Sequence, residues 1–125
     1  MGIYRIAVAT NGTDGLNDVV SKVFGKANTF TILDDDDEKM ELVNVIENPA
    51  KSYTHGAGPI VVKMLIDIGV DLLLAYQLGI GAEGLLKQHN IEHILVMPKS
   101  KVRKAVELAI HSLKKGGYEL NLKTK

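Results

Sequence analysis

The chain has 125 residues, enough for one domain to bury a core without covalent staples; 46% of them are hydrophobic and 24% charged, which excludes a disordered, low-hydrophobicity chain. Lys and Arg number 15, and so do Asp and Glu, so no net field draws the protein to nucleic acid or to an acidic membrane surface, and neither is expected as a partner. The absence of Cys excludes disulfides, a thiolate nucleophile and thiolate ligation of an iron–sulfur cluster.

Met1 to Arg5 carries no basic-then-apolar signal pattern, and no apolar run approaches the roughly 20 residues of a membrane helix, so a cytoplasmic location is expected. Met1-Gly2 invites a myristoylation reading, but Ile6 stands where that signal needs Ser or Thr. Ile3 to Ala9 is apolar apart from Arg5, short, and followed by Thr10, Asn11 and Gly12, which predicts a buried strand opening into a loop. Asn11 to Asn28 is rich in Gly, Asn, Asp and Ser, with Val19, Val20, Val23 and Phe24 as its anchors; it reads as an ordered loop or a short helical turn.

Thr29 to Leu33 and Met40 to Ile46 have strand composition, and the polar stretch Asp34 to Lys39 joins them as an antiparallel hairpin. A helix is expected from Pro59, whose missing N–H suits a first helical position, with Ile60, Val61, Met64, Leu65 and Ile68 as its apolar stripe and Gly69 as its left-handed cap. Leu72 to Ala75 and Ile94 to Met97 read as buried strands, and Ala82 to His89 as a short helix between them. Val102 to Leu113 forms the last helix, with Ser100 as N-cap and Gly116 as stop. The expected architecture is an α/β domain over residues 1–120: a mixed five-stranded sheet, antiparallel at its hairpin edge and parallel elsewhere, flanked by helices. Residues 121–125 are expected to fray.

Three segments carry a family resemblance: Val20-Ser21-Lys22-Val23-Phe24-Gly25-Lys26-Ala27, then Glu47-Asn48-Pro49-Ala50 with His55-Gly56-Ala57-Gly58 after a spacer, then Ala75-Tyr76-Gln77-Leu78-Gly79-Ile80-Gly81-Ala82. In this order, after the opening Ile6-Ala7-Val8-Ala9, they resemble the dinitrogenase iron–molybdenum cofactor biosynthesis family. The resemblance implies a ribonuclease-H-like fold and a role in binding, carrying or protecting an iron–sulfur or iron–molybdenum cofactor precursor, in company with a cofactor-assembly enzyme. Many members have His just before the Phe-Gly pair; this chain has Val23, so that metal ligand is missing.

The residues themselves point to a crevice. If the parallel strands end at one edge, the loops Thr10 to Gly15, Gln77 to Ala82 and Pro98 to Lys101 gather there, the usual ligand position in an α/β sheet. Gly79 and Gly81 stand just before a helix, whose unpaired N–H groups suit an anion or an anionic cluster; the alternative is that they only turn the chain. His55, in glycine-rich backbone, is the metal-ligand candidate, able to give one bond to a preassembled cofactor; an unliganded loop histidine is the alternative. The candidate cofactor site is therefore Asn11, Phe24, Gly25, His55, Gly56, Ala57, Gly58, Gly79 and Gly81.

Other chemistry is poorly supported. His89 and His93 fall on different elements, and the run Asp34 to Glu38 lacks the spacing and central Gly of a calcium loop. Ile3 to Ala9 has no carboxylate for metal-dependent nuclease chemistry, no Ser lies in a nucleophile elbow, and neither a phosphate-binding loop nor a dinucleotide fingerprint is present. A carrier without catalysis of its own is expected, with a binding or regulatory module for a small anionic metabolite as the second reading.

Overall fold

Residues 3–115 are described by a computed structural model. Its elements run β1 (Tyr4–Thr10), a 3₁₀ turn (Gly15–Asn17), β2 (Thr29–Asp35), β3 (Met40–Glu47), α1 (Ala57–Ile68), β4 (Leu72–Ala75), α2 (Ile80–Gln88), β5 (Glu92–Leu95) and α3 (Val102–Lys115). The single sheet has the order β3-β2-β1-β4-β5. β2 is antiparallel to β1 and β3, whereas β1, β4 and β5 are parallel, which is the expected ribonuclease-H-like arrangement.

Alternation along β1 sorts the core into two layers, because successive strand side chains point to opposite faces. Ile6 and Val8 face α3 and pack with Val102, Ala105, Val106 and Ala109. Ala7 and Ala9 face the other way, towards Val61, Val62 and Leu65 of α1 and Leu86 of α2. The polar residue of β1 has its own use. The guanidinium of Arg5 donates to both oxygens of Asp34, at 2.9 and 3.1 Å, and to the Ile68 carbonyl at 3.2 Å, tying the hairpin to the end of α1. The hydrogen bond to Asp34 raises the pKa of Arg5 further above its ordinary value.

Element edges differ from the sequence expectation where local pattern competes with pairing. α1 begins at Ala57, not Pro59, and Pro59 still costs nothing because the first four helical N–H groups lack intrahelical acceptors. Its buried face is Val61, Val62 and Leu65, and Ile60 is exposed. Gly69 caps it at φ 83°, as expected. α2 starts two residues early, so Gly79 is its N-cap and Gly81 lies inside its first turn. β5 is Glu92–Leu95, shifted back by its register with β4, in which Leu72 faces Glu92 and Ala75 faces Leu95. The residue before α3 is Lys101, bridged to Val19, and not Ser100. The expected stop at Gly116 and the tail 121–125 lie outside the described residues.

β3 is an edge strand, and Leu42 and Val43 are exposed on it. Its pairing with β2 is interrupted by an irregularity at Ile32/Leu33. Leu73 sits on β4, an interior strand of the sheet, and is fully buried in the layer formed with α1 and α2. Replacing it by Ala removes apolar contact and leaves a cavity, so Leu73→Ala should lower unfolding free energy by about 3 kcal/mol with an unchanged urea m-value. A loss below about 1 kcal/mol in urea titration would show that the sheet centre is not the core.

Candidate functional site

The site is built on a buried amide. Asn48 follows β3 and is 4% exposed. Its Nδ2 donates to the Gly25 carbonyl at 2.8 Å and to the Ala27 carbonyl at 2.9 Å, while its Oδ1 accepts from the Ala50 N–H at 2.8 Å. Its own N–H donates to the Asn28 carbonyl. One side chain thus fixes the whole Phe24–Asn28 turn, using both donors and the acceptor an amide offers.

The fixed turn lies against the start of α1. A Cβ on Gly25 would come within 3.2 Å of the Gly58 nitrogen and 3.3 Å of the Ala57 Cβ, so glycine permits this approach and a larger residue forces the two segments apart. On its far side Gly58 faces the first turn of α2, where a Cβ on it would stand 3.6 Å from that of Ala82. The three segments singled out in the sequence therefore meet: the Phe-Gly turn, the start of α1 and the start of α2. Both helices begin with Gly caps, Gly56 at φ 77° and Gly79, that supply no side-chain hydrogen bond to the first turn. Their free N–H groups and the positive helix ends are left for something else.

A cavity of about 590 Å³ opens beside this junction, lined by Val23, Phe24, Gly25, Lys26, Tyr76, Gln77, Leu78, Gly79 and Leu95. It lies at the carboxyl ends of β4 and β5, where ligands bind in open α/β sheets. No acidic side chain lines it. Phe24 forms its inner wall and is also part of the core, meeting Phe30 edge-to-face at 5.7 Å between centroids.

Of the residues expected from sequence, Phe24, Gly25 and Gly79 line this cavity, and Ala57 and Gly58 back it through Gly25. Asn11 lines a smaller neighbouring pocket. His55, Gly56 and Gly81 are exposed, His55 in the loop entering α1, and none of the three is in the cavity wall. Gln77 and Leu78 line it from the loop expected at this edge, and Lys26, Tyr76 and Leu95 are further lining residues, the first two inside the motifs but without a glycine or histidine to mark them. Asn48 was likewise within a motif, and its buried donors were the missing signal. Among the described residues no group of three or more His, Cys, Asp or Glu is placed to hold a metal ion.

A family model described as dinitrogenase iron-molybdenum cofactor matches residues 3–112. The chain belongs to that family. The apo orange protein of Desulfovibrio gigas is similar in structure, with 28% identity, a TM-score of 0.77 and coverage of 89% of this chain and 90% of that one. A NifB-like protein of Thermotoga is 30% identical, with a TM-score of 0.67 and coverage of 91% and 90%. An uncharacterised protein of Methanocaldococcus jannaschii is 26% identical over 76 residues, which span 61% of this chain and 64% of that protein. Membership of the dinitrogenase iron–molybdenum cofactor family makes this a small protein related to cofactor binding or biosynthesis. Among its described residues no helix is long and apolar enough to cross a membrane.

Removing the Asn48 amide takes the donor from one buried and one part-buried carbonyl, and each fully buried loss costs roughly 1–3 kcal/mol. Asn48→Ala should lower stability by about 2–4 kcal/mol in chemical denaturation. Asn48→Asp should do no better, since a carboxylate facing the Gly25 and Ala27 carbonyls cannot donate to them. Native stability in both variants would show that the turn is held by other contacts.

Proposed function

We propose that this protein binds and carries a preassembled, anionic iron–sulfur or iron–molybdenum cofactor precursor in the cavity beside Phe24, Gly25 and Gly79, without catalysing a reaction itself. The observation that carries the reading is the junction of two uncapped helix starts next to a wall free of carboxylates. Helix starts of this kind favour negative charge, and the absence of side chains at Gly25 and Gly79 lets a bulky cluster approach the backbone.

In this reading the chain supplies shape and hydrogen-bond donors, and the metal centres arrive with their own sulfur ligands. His55 gives at most one bond from the exposed loop above α1, and Lys26 neutralises part of the cargo's charge. The cargo is taken from, or passed to, a cofactor-assembly enzyme in the cytoplasm. The same acid-free cavity would also accept a small anionic metabolite with no metal, which is the second reading.

Anaerobic titration with a synthetic iron–sulfur precursor should give a one-to-one complex with altered iron absorption. Gly79 has φ −75° and open space where a side chain would begin, so Gly79→Leu is compatible with the backbone and fills the cavity. It should weaken the complex at least tenfold, about 1.4 kcal/mol. His55→Ala should weaken it severalfold; unchanged binding there removes His55 from the site but leaves the cavity reading standing. Undiminished binding by Gly79→Leu would sink the cavity reading. Thermal shifts with anionic metabolites in metal-free buffer separate the two readings, because only a ligand that prefers the native state raises its stability.

A further inference from the structure

A second pocket, of about 290 Å³, adjoins the cavity and shares Val23 and Lys26 with it. The rest of its wall is Asn11, Val20, Ser21, Lys22, Asn28 and Lys99. Three lysines and no carboxylate therefore line one small hollow in a chain whose acids and bases are equal in number. Among the described residues, none of Lys22, Lys26 and Lys99 pairs with an acid.

The polar groups around the lysines are donors as well. Ser21 is 3% exposed; its Oγ accepts the Val23 N–H at 3.1 Å, and its own hydroxyl hydrogen has no acceptor among the hydrogen bonds of the described residues. Asn28 gives one amide hydrogen to the Asn11 carbonyl at 2.9 Å and keeps the other. The pocket is rigidly framed: the Val20 N–H donates to the Ser100 carbonyl at 2.8 Å, and the Lys99 N–H to the Val20 carbonyl at 2.9 Å. Lys99 itself is held at φ 68°, a left-handed conformation uncommon for a side chain of this kind.

We infer that this pocket is a binding site for a tetrahedral oxyanion of charge two, such as sulfate, hydrogen phosphate or molybdate, separate from the cofactor cavity. Three ammonium groups, a hydroxyl and an amide can surround four oxygens that only accept, and charge-assisted bonds of this type are the stronger ones. The pocket has the volume of several water molecules at about 30 Å³ each, enough for such an ion with part of its hydration. A cation or a neutral ligand would leave the three charges unmatched. Lys26 also borders the cofactor cavity, but Lys22, Lys99, Ser21 and Asn28 line this pocket and not that one, so the inference does not need the cluster reading.

Isothermal titration of the wild-type chain with sodium sulfate, phosphate and molybdate, at fixed ionic strength against chloride, reads the site directly. One-to-one, saturable binding of at least one dianion is expected, and the relative affinities say which ion the pocket prefers. Lys22→Gln combined with Lys99→Gln should weaken it on the order of tenfold, as expected for two partly exposed charge contacts. Lys99→Gly is the second variant. Glycine adopts positive φ readily, so this protein should be at least as stable as wild type while binding the dianion severalfold more weakly. Gly79→Leu should leave dianion binding unchanged, which separates this site from the cofactor cavity. Binding that is no tighter than chloride, that survives the lysine substitutions, or that disappears with Gly79→Leu would overturn the inference.

Discussion

The side-chain amide of Asn48 is the constraint on which the rest of the site depends. The backbone carbonyl of Ala27 is buried and that of Gly25 part-buried, and a carbonyl shielded from water needs a donor. Asn48 provides both hydrogens from a position at the end of β3, so the edge of the sheet determines where the Phe24–Asn28 turn lies. Once the turn is placed, Gly25 meets Ala57 and Gly58, and the start of α1 is set against the start of α2. A hydrogen bond at one end of the sheet thereby positions two helix ends at the carboxyl edge of the parallel strands.

That placement has an electrostatic result. Asp18, the acid closest in sequence to the Phe-Gly turn, is turned to structural use: its carboxylate accepts the N–H groups of Gly12, Asp14 and Val19 at 2.9, 3.2 and 2.7 Å. The acids of the hairpin tip and of α3 border a third hollow, with Arg103, His111 and Lys114, at the other end of the α3 layer. Negative side chains are thus withheld from the cavity wall while lysines and free N–H groups remain, although the whole chain carries no net charge.

Much of the fold was legible in the sequence because burial there follows period. The unbroken apolar run of β1 predicts a strand covered on both sides and the 3.6-residue spacing in α3 names one face, and the structure buries both sides of β1 and that face of α3. Boundaries were less legible where two rules compete. Ile94 to Met97 is the more apolar run, yet β5 begins at Glu92 because pairing with β4 fixes its register, while Val96 still donates to the Ala75 carbonyl from beyond the strand. Gly81 precedes the helix expected from Ala82 but lies in the first turn of α2, because the roughly 1 kcal/mol of backbone entropy that glycine costs a helix is outweighed by the packing of Ala82 and Leu86. In the site, the glycine motifs were visible locally, whereas the lysine-lined pocket joins Lys22 and Lys26 to Lys99 across most of the chain, and no local pattern records such a meeting.

Phe24 belongs to two neighbourhoods at once. One side of its ring faces the open cavity and the other rests edge-on against Phe30, which is fully buried in β2. An aromatic partition of this kind couples guest and scaffold: pressure on its outer surface is carried by the strand behind it. A change at Phe24 therefore alters the lining of the hollow and the packing behind β2 together.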